Sequence, residues 1–288
     1  GMRRVGKSYL LRQLYHDYRE RGYADKAICF VDKESLDFEH IKTATDLYAY
    51  ANKSWGKRKK RVLLVDEVQE IEAWEKAVVS LAALPDVDIV VTGSNARLFS
   101  SELATRLGGR CIEFMIHNLS WREFRQFRGE TTAPRESEFK LYLRYGGLPA
   151  LHHMELKDDV AFQYLGAIFN HIVLKDIVTR HEVRDVALLD RIGGFLLDNV
   201  GQVVSANRIA AYFKSQRLKV GVDTVINYLG YYQQALLARK VVRFDIPGKR
   251  MLEIHEKYYL SDTGLRHARL GYRVCELAGV RENMIYLE

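Results

Sequence analysis

The chain has little cysteine. Its 288 residues hold three, Cys29, Cys111 and Cys275. They lie far apart, odd in number and without metal-ligand spacing, which excludes a disulfide framework and a zinc-ribbon site and predicts reduced, mostly buried thiols. No run approaches the roughly 20 apolar residues that a membrane span needs. No basic-then-apolar signal segment opens the chain. Both absences point to the cytoplasm and away from a membrane. Long repeats and low-complexity tracts are missing too, and the histidines, His152 and His153 included, show no metal spacing. What is present is an ordinary globular mix, 48% apolar and 28% charged, with a formal net charge of +7. The length suits two domains or slightly more. The positive excess suits a polyanionic partner, nucleotide or nucleic acid, or simply a basic soluble protein.

Up to about residue 116, strand and helix patterns alternate. Ser8 to Arg21 places Leu10, Leu11, Leu14, Tyr15 and Tyr18 at helical spacing. AICFV (27–31), VLLV (62–65) and VDIVV (87–91) are short continuous apolar runs, as in strands covered on both faces. Residues 41–51, 71–84 and 95–107 read as the intervening helices, and CIEFMI (111–116) as a fourth strand. Such alternation predicts an α/β fold, a parallel sheet with helices on both faces. Beyond His117 the pattern turns helical, with 119–127 one helix, a break at Gly146, Gly147 and Pro149, and a long helical stretch over 158–184. Residues 188–200, a segment to Phe213 with Ser205 as N-cap, and 222–237 read as three more helices. Two strands around Pro247-Gly248 follow as a hairpin. Three helices and a two-stranded wing are the layout of a winged helix.

The chemistry concentrates at three strand ends. GMRRVGKS (1–8) matches G-x-x-x-x-G-K-S. Gly1 and Gly6 let the backbone curl so that its N–H groups face a phosphate, and the helix behind adds its positive end. Lys7 would reach the β- and γ-phosphates and the Ser8 hydroxyl would sit on Mg²⁺. Gly1, Arg4, Val5, Gly6, Lys7, Ser8 and Tyr9 are the candidate nucleotide contacts. Arg3 and Arg4 would meet either phosphate or a partner segment. VLLVDEV (62–68) ends in two adjacent carboxylates, Asp66 to hold Mg²⁺ and Glu67 to orient and deprotonate the attacking water. VTGSN (91–95) offers Ser94 or Asn95 as a polar sensor of the γ-phosphate or the water. Open α/β sheets bind ligands along that edge. Nucleotide hydrolysis is the leading chemistry, with ATP preferred because no guanine-specifying N-K-x-D segment occurs.

Arg106 and Arg110, in TRLGGR (105–110), are candidates for an arginine that completes a neighbouring subunit's site in a homo-oligomer. The third helix of the winged-helix stretch would present Asp223, Thr224, Asn227 and Tyr231, and the wing Arg243, Lys249 and Arg250. This module would contact either DNA phosphates or a protein. NKSWGKRKKR (52–61) is either a solvated basic loop or a phosphate contact with Trp55 stacking on a base.

GMRRVGKSYLLRQL, LLVDEVQEIEAWEKAV, VVTGSNARLFSSELATRLGGR, YGGLPAL and YYLSDTGL, in this order, resemble a family of prokaryotic AAA+-like P-loop ATPases related to the archaeal STAND ATPases. The resemblance covers nearly the whole chain. It implies a P-loop core over 1–117, a helical lid over 118–185, a winged helix over 186–268, and over 269–288 the start of a restriction-endonuclease-like domain. It also implies ATP and Mg²⁺ as cofactors, bound by Lys7, Ser8, Asp66 and Glu67, with Ser94 or Asn95 as sensor and Arg110 as the trans arginine. The implied function couples nucleotide state to DNA or partner engagement. The alternative is a nucleotide-gated scaffold that turns over little and signals by assembly. Two departures stand out. The family's apolar strand before the phosphate loop is missing, and the nuclease acids and lysine do not follow RENMIYLE (281–288). The expectation is an excerpt of a longer protein, truncated at both ends.

Overall fold

The computed structural model describes residues 1–96, 105, 107, 109–129, 134–245, 250–272 and 277–288, with side chains for all but 243–245, 250–255 and 277. Its contacts divide the chain into two units. One comprises Gly1 and Gly6–Ile116, the other Met2–Val5 and His117–Glu288.

The first unit is an α/β layer structure. Helix α1 (Lys7–Glu20) precedes β1 (Ile28–Asp32), α2 (Ala44–Trp55), β2 (Arg61–Asp66), α3 (Trp74–Ala82) and β3 (Val87–Val91). The three strands form a parallel sheet in the order β1-β2-β3, with Ile28 opposite Val62 and Arg61 opposite Val87. Parallel neighbours need crossover helices, and α2 and α3 supply them. The unbroken apolar run of β2 follows from burial on both faces. Val62 and Leu64 pack with Leu11, Leu14 and Tyr15 of α1. Leu63 and Val65 pack on the opposite face with Leu47, Trp55, Trp74 and Leu81 of α2 and α3. Thr43 begins α2 with a reciprocal capping box to Asp46, which satisfies donors that helix geometry leaves open.

Two expectations are corrected in this unit. Residues 111–116 take no strand assignment, and among the described residues the sheet has three strands. Its place in the sequence suggested the strand, but Ile112 and Phe114 are 79% and 77% exposed, and among the described residues no strand pairs with this segment. Trp55 is fully buried, and its indole N–H donates to the Val62 carbonyl at 3.1 Å, so it cannot stack on a base. The expected helix over 95–107 falls largely outside the described residues. Cys29 is buried, and burial pushes its thiol up to about 12, which suits a reduced core cysteine.

The second unit is mainly helical. It runs through α4 (Trp121–Arg128), α5 (Arg135–Tyr145), α6 (Asp158–Ile172) with a π-helical continuation (Val173–Thr179), α7 (Val186–Asp198), β4 (Val203–Val204), α8 (Ala206–Ser215), α9 (Val222–Gln234), β5 (Ala238–Asp245), β6 (Arg250–Leu260), α10 (Thr263–Leu270) and α11 (Leu277–Leu287). Strands β4, β6 and β5 form an antiparallel sheet in that order. Ser205 caps α8 by accepting from the Arg208 amide at 3.2 Å. The turn at Pro247-Gly248, with Lys249, lies outside the described residues, as do the side chains of Arg243 and Arg250.

Asp262 is the buried centre of this unit. It caps α10 by accepting from the Leu265 amide at 3.1 Å, and its other oxygen accepts from the Gly147 amide at 2.9 Å and the Asn118 amide group at 2.6 Å. Burial pushes its carboxyl up to about 6 despite these bonds. Gly146 ends α5 at φ 80 and ψ −165, and a Cβ there would lie 2.3 Å from an Asp262 oxygen, so only glycine fits. Helix α11 joins the same body. Asn283, fully buried, accepts from the Leu260 amide at 2.6 Å and donates to its carbonyl at 3.0 Å, while Val280 and Met284 pack with Phe124 and Tyr142. Among the described residues no helix is long and apolar enough to cross a membrane.

Candidate nucleotide site

In the first unit the carboxyl end of β2 and the start of α1 gather the polar residues. Gly6 precedes α1 at φ 104, a left-handed conformation that glycine adopts without strain, and a Cβ added there would meet nothing within 4 Å. Lys7 follows as the first residue of α1 and is 7% exposed. Its Nζ donates to the Gly1 carbonyl at 3.1 Å and stands 3.9 Å from Glu67 Oε1. The lysine therefore folds back along its own loop towards the β2 acids. Ser8 is half-buried beside it, whereas Tyr9 is 72% exposed and points away from the buried part of α1. Of the loop residues that group with the second unit, Val5 is buried and Arg4 is exposed.

The two acids differ in geometry. Asp66 ends β2, is 1% exposed, and accepts a hydrogen bond from the Thr92 hydroxyl. Glu67 leaves the strand in a left-handed conformation, φ 53 and ψ 51, uncommon for a residue with a Cβ. The backbone turn takes Glu67 out of the strand's alternation, which would have pointed the two carboxylates to opposite faces. Thr92 secures that turn twice, because its hydroxyl oxygen also accepts from the Glu67 amide at 3.2 Å. The Glu67 carboxylate, 5% exposed, accepts from Ser94 Oγ at 3.1 Å and from the Gln69 side-chain amide. Gln69 reaches Ser94 Oγ at 3.4 Å as well. Backbone bonds fix the adjoining strand end, since the Thr92 amide donates to the Val65 carbonyl at 2.8 Å and the Val68 amide to the Thr92 carbonyl at 2.9 Å.

The site residues read from the sequence thus divide. Lys7, Asp66, Glu67 and Ser94 lie in one buried polar cluster. Asn95 is half-buried next to Ser94. Arg110 is exposed, its amide donating to the Leu107 carbonyl at 3.1 Å, and its guanidinium has no described role in the cluster. Arg106 lies outside the described residues. Sequence reading missed Thr92 and Gln69. Their signals were their places, one residue before Gly93-Ser94 and two after Glu67, where a strand end and a tight turn bring neighbours within reach. Mg²⁺ prefers hard oxygen donors and is usually held by one or two carboxylates together with substrate phosphates. A serine hydroxyl and a buried aspartate fit that donor set, and a buried lysine beside an open glycine turn fits a phosphate.

Residues 1–125 match the family described as AAA domain, and residues 136–275 match a domain of unknown function. An uncharacterized protein of Haemophilus influenzae is 36% identical over all of this chain, which spans 72% of that relative. An uncharacterized protein of Methanocaldococcus jannaschii is 26% identical, again over all of this chain and 65% of its own length. Among solved structures, the Walker-type ATPase PABY2304 of Pyrococcus abyssi superposes with a TM-score of 0.59 at 15% identity, over 93% of this chain and 89% of that one. The parallel sheet with its helices has the fold of a P-loop ATPase, residues 1–125 carry the AAA-domain match, and the chain belongs to the same family as the Haemophilus influenzae relative.

Proposed function

We propose that this chain binds ATP with Mg²⁺ and hydrolyses it. The observation that carries the reading is the buried cluster of Lys7, Asp66, Glu67, Thr92 and Ser94 at the sheet's carboxyl end. Lys7 exchanges its Gly1 carbonyl and Glu67 contacts for phosphate oxygens, so its positive charge is present before nucleotide arrives. The loop amides and the start of α1 add donors to the same phosphates. Ser8 and Asp66 hold the metal ion, which when bound neutralises charge on the β- and γ-phosphates. Glu67 takes the proton of the attacking water, and Ser94 and Gln69 hold its carboxylate in place. The test is ATP turnover with and without Mg²⁺ in the wild type and in Lys7→Ala. We expect turnover that requires Mg²⁺ and falls at least ~100-fold in the variant. Undiminished turnover in Lys7→Ala sinks the assignment.

Nucleotide state would act on a partner through α7, α8, α9 and the β5–β6 pair, an element order that supports the winged-helix reading. A protein partner is the second reading, and one observation favours it over DNA. Helix α9 carries no basic residue, and its Tyr231 ring is stacked on His181 at 3.9 Å. DNA binding that weakens steeply with salt would favour phosphate contacts, whereas assembly that ignores salt and DNA would favour protein. The arginine supplied in trans by Arg110 or Arg106 belongs to this proposal. An ATP-dependent change in oligomeric state that is lost in Arg110→Ala would support Arg110.

A further inference from the structure

We propose that Asp176 is a positioning residue of the phosphate loop, holding residues 2–5 through Arg3 in the shape that receives nucleotide. This inference rests on the ATP-binding reading above.

Arg3 sits in the middle of the loop sequence and is 5% exposed. Its Nε donates to Asp176 Oδ2 at 2.7 Å and its Nη2 to Asp176 Oδ1 at 3.0 Å, a two-pronged pair spanning 173 residues of sequence. Both residues belong to the second unit, with which Met2–Val5 group, while Gly1 and Gly6 at the ends of the loop belong to the first. Arg3 is thus turned by its carboxylate partner away from the role of phosphate ligand. Two parallel charge-assisted bonds fix both the position and the plane of a guanidinium, which one contact does not.

The loop needs such a restraint. Arg4 adopts φ 65 without being glycine, a strained conformation that persists only where surrounding structure holds it. Its neighbours supply that hold, for Met2 and Val5 are buried at 2% and 5% exposure and Arg3 is pinned between them. On the other side, Asp176 is equally constrained. It lies in the π-helical segment Val173–Thr179 that continues α6, a rare geometry that recurs at functional positions. Arg180 Nη2 stands 3.6 Å from Asp176 Oδ1 and adds a second positive charge to the same carboxylate. One aspartate therefore serves two guanidinium groups. A single change there releases the loop without touching any residue that would contact ATP.

Mg²⁺-dependent binding of a fluorescent ATP analogue to the intact protein tests this, together with steady-state turnover and hydrogen exchange of the amides of residues 2–5. Asp176→Asn should weaken analogue binding ~10-fold or more and raise KM more than it lowers kcat. The apolar pair Arg3→Met with Asp176→Leu separates positioning from plain stabilisation. It removes the two-pronged buried pair together, leaving Arg180, whose side chain is 24% exposed, to turn to solvent, and should recover most of the thermal stability lost in Asp176→Asn, while affinity stays low. Recovery of wild-type affinity in that pair overturns the proposal, as does wild-type affinity in Asp176→Asn. If Asp176→Asn does not fold, the apolar pair alone decides, by the same criterion. If even the wild type binds no nucleotide, the ATP reading fails separately. The positioning role is then decided by exchange at residues 2–5, with ~10-fold acceleration in the variant supporting it and unchanged exchange overturning it.

Discussion

Glu67→Gln should separate nucleotide binding from turnover. In the wild type, Glu67 Oε1 lies 3.9 Å from Lys7 Nζ, and Oε2 accepts from Ser94 and Gln69. Glutamine has one acceptor oxygen. It will turn that oxygen to the two donors and present its amide group to the lysine. The general base is gone, which lowers kcat by ~10²–10⁴-fold, about 3 to 5 kcal/mol on the barrier. The lysine is also freed from a carboxylate that competes with phosphate. At 3.9 Å the gross attraction is about 4 kcal/mol for an effective dielectric near 20. Desolvation and the retained Gly1 carbonyl bond offset most of it, so a net gain of about 1 kcal/mol remains, a severalfold tighter ATP complex. The assay pairs phosphate release at saturating ATP with equilibrium binding of ATP and Mg²⁺. Turnover within about threefold of wild type would refute the base assignment. Affinity that falls along with turnover would refute the competition between Glu67 and phosphate for Lys7.

Thr92→Val keeps the side chain's shape and removes both hydroxyl bonds at the β2 end. It should cost about 1 to 3 kcal/mol in chemical denaturation and lower turnover, because Glu67 loses the partner of its left-handed turn. Gly146→Ala places a Cβ 2.3 Å from an Asp262 oxygen at a backbone angle reserved for glycine. A loss of at least about 3 kcal/mol is expected by calorimetry, and a change under about 1 would refute the close approach. His267 gives a pH signature. Burial, with Arg266 secondary, holds its imidazole down to about 4. A depressed value means that its stabilising contribution is complete above pH 6.5 and is lost as pH falls through about 4. His267→Phe removes that loss, so variant and wild-type stabilities should diverge by about 3 kcal/mol between pH 7 and 4. Parallel curves would count against it.

By itself, the sequence determined the elements whose signal is local. Apolar runs marked β1, β2 and β3 because a strand buried on both faces admits little else, and β2 shows the two-sided burial directly. Gly6 and Lys7, Asp66 and Glu67, and Ser94 were legible because each stands in a short local motif at a helix start or strand end, and an open parallel sheet collects such ends along one edge. CIEFMI (111–116) misled because alternation states a preference, while a strand exists only when a neighbour bonds to it. Trp55 looked available inside a basic run, and only packing buried its ring in the core with the indole N–H on the Val62 carbonyl. The bonds of Thr92 and Gln69 depend on a left-handed turn at Glu67 that no composition rule requires. Tertiary structure alone joined Arg3 to Asp176 across 173 residues and closed Gly147, Asn118 and Leu265 around Asp262. The physical reason is range. Propensity and periodicity act over a few residues, whereas the partner of a buried charge is whichever opposite group the folded chain brings within 3 Å, at any distance in sequence.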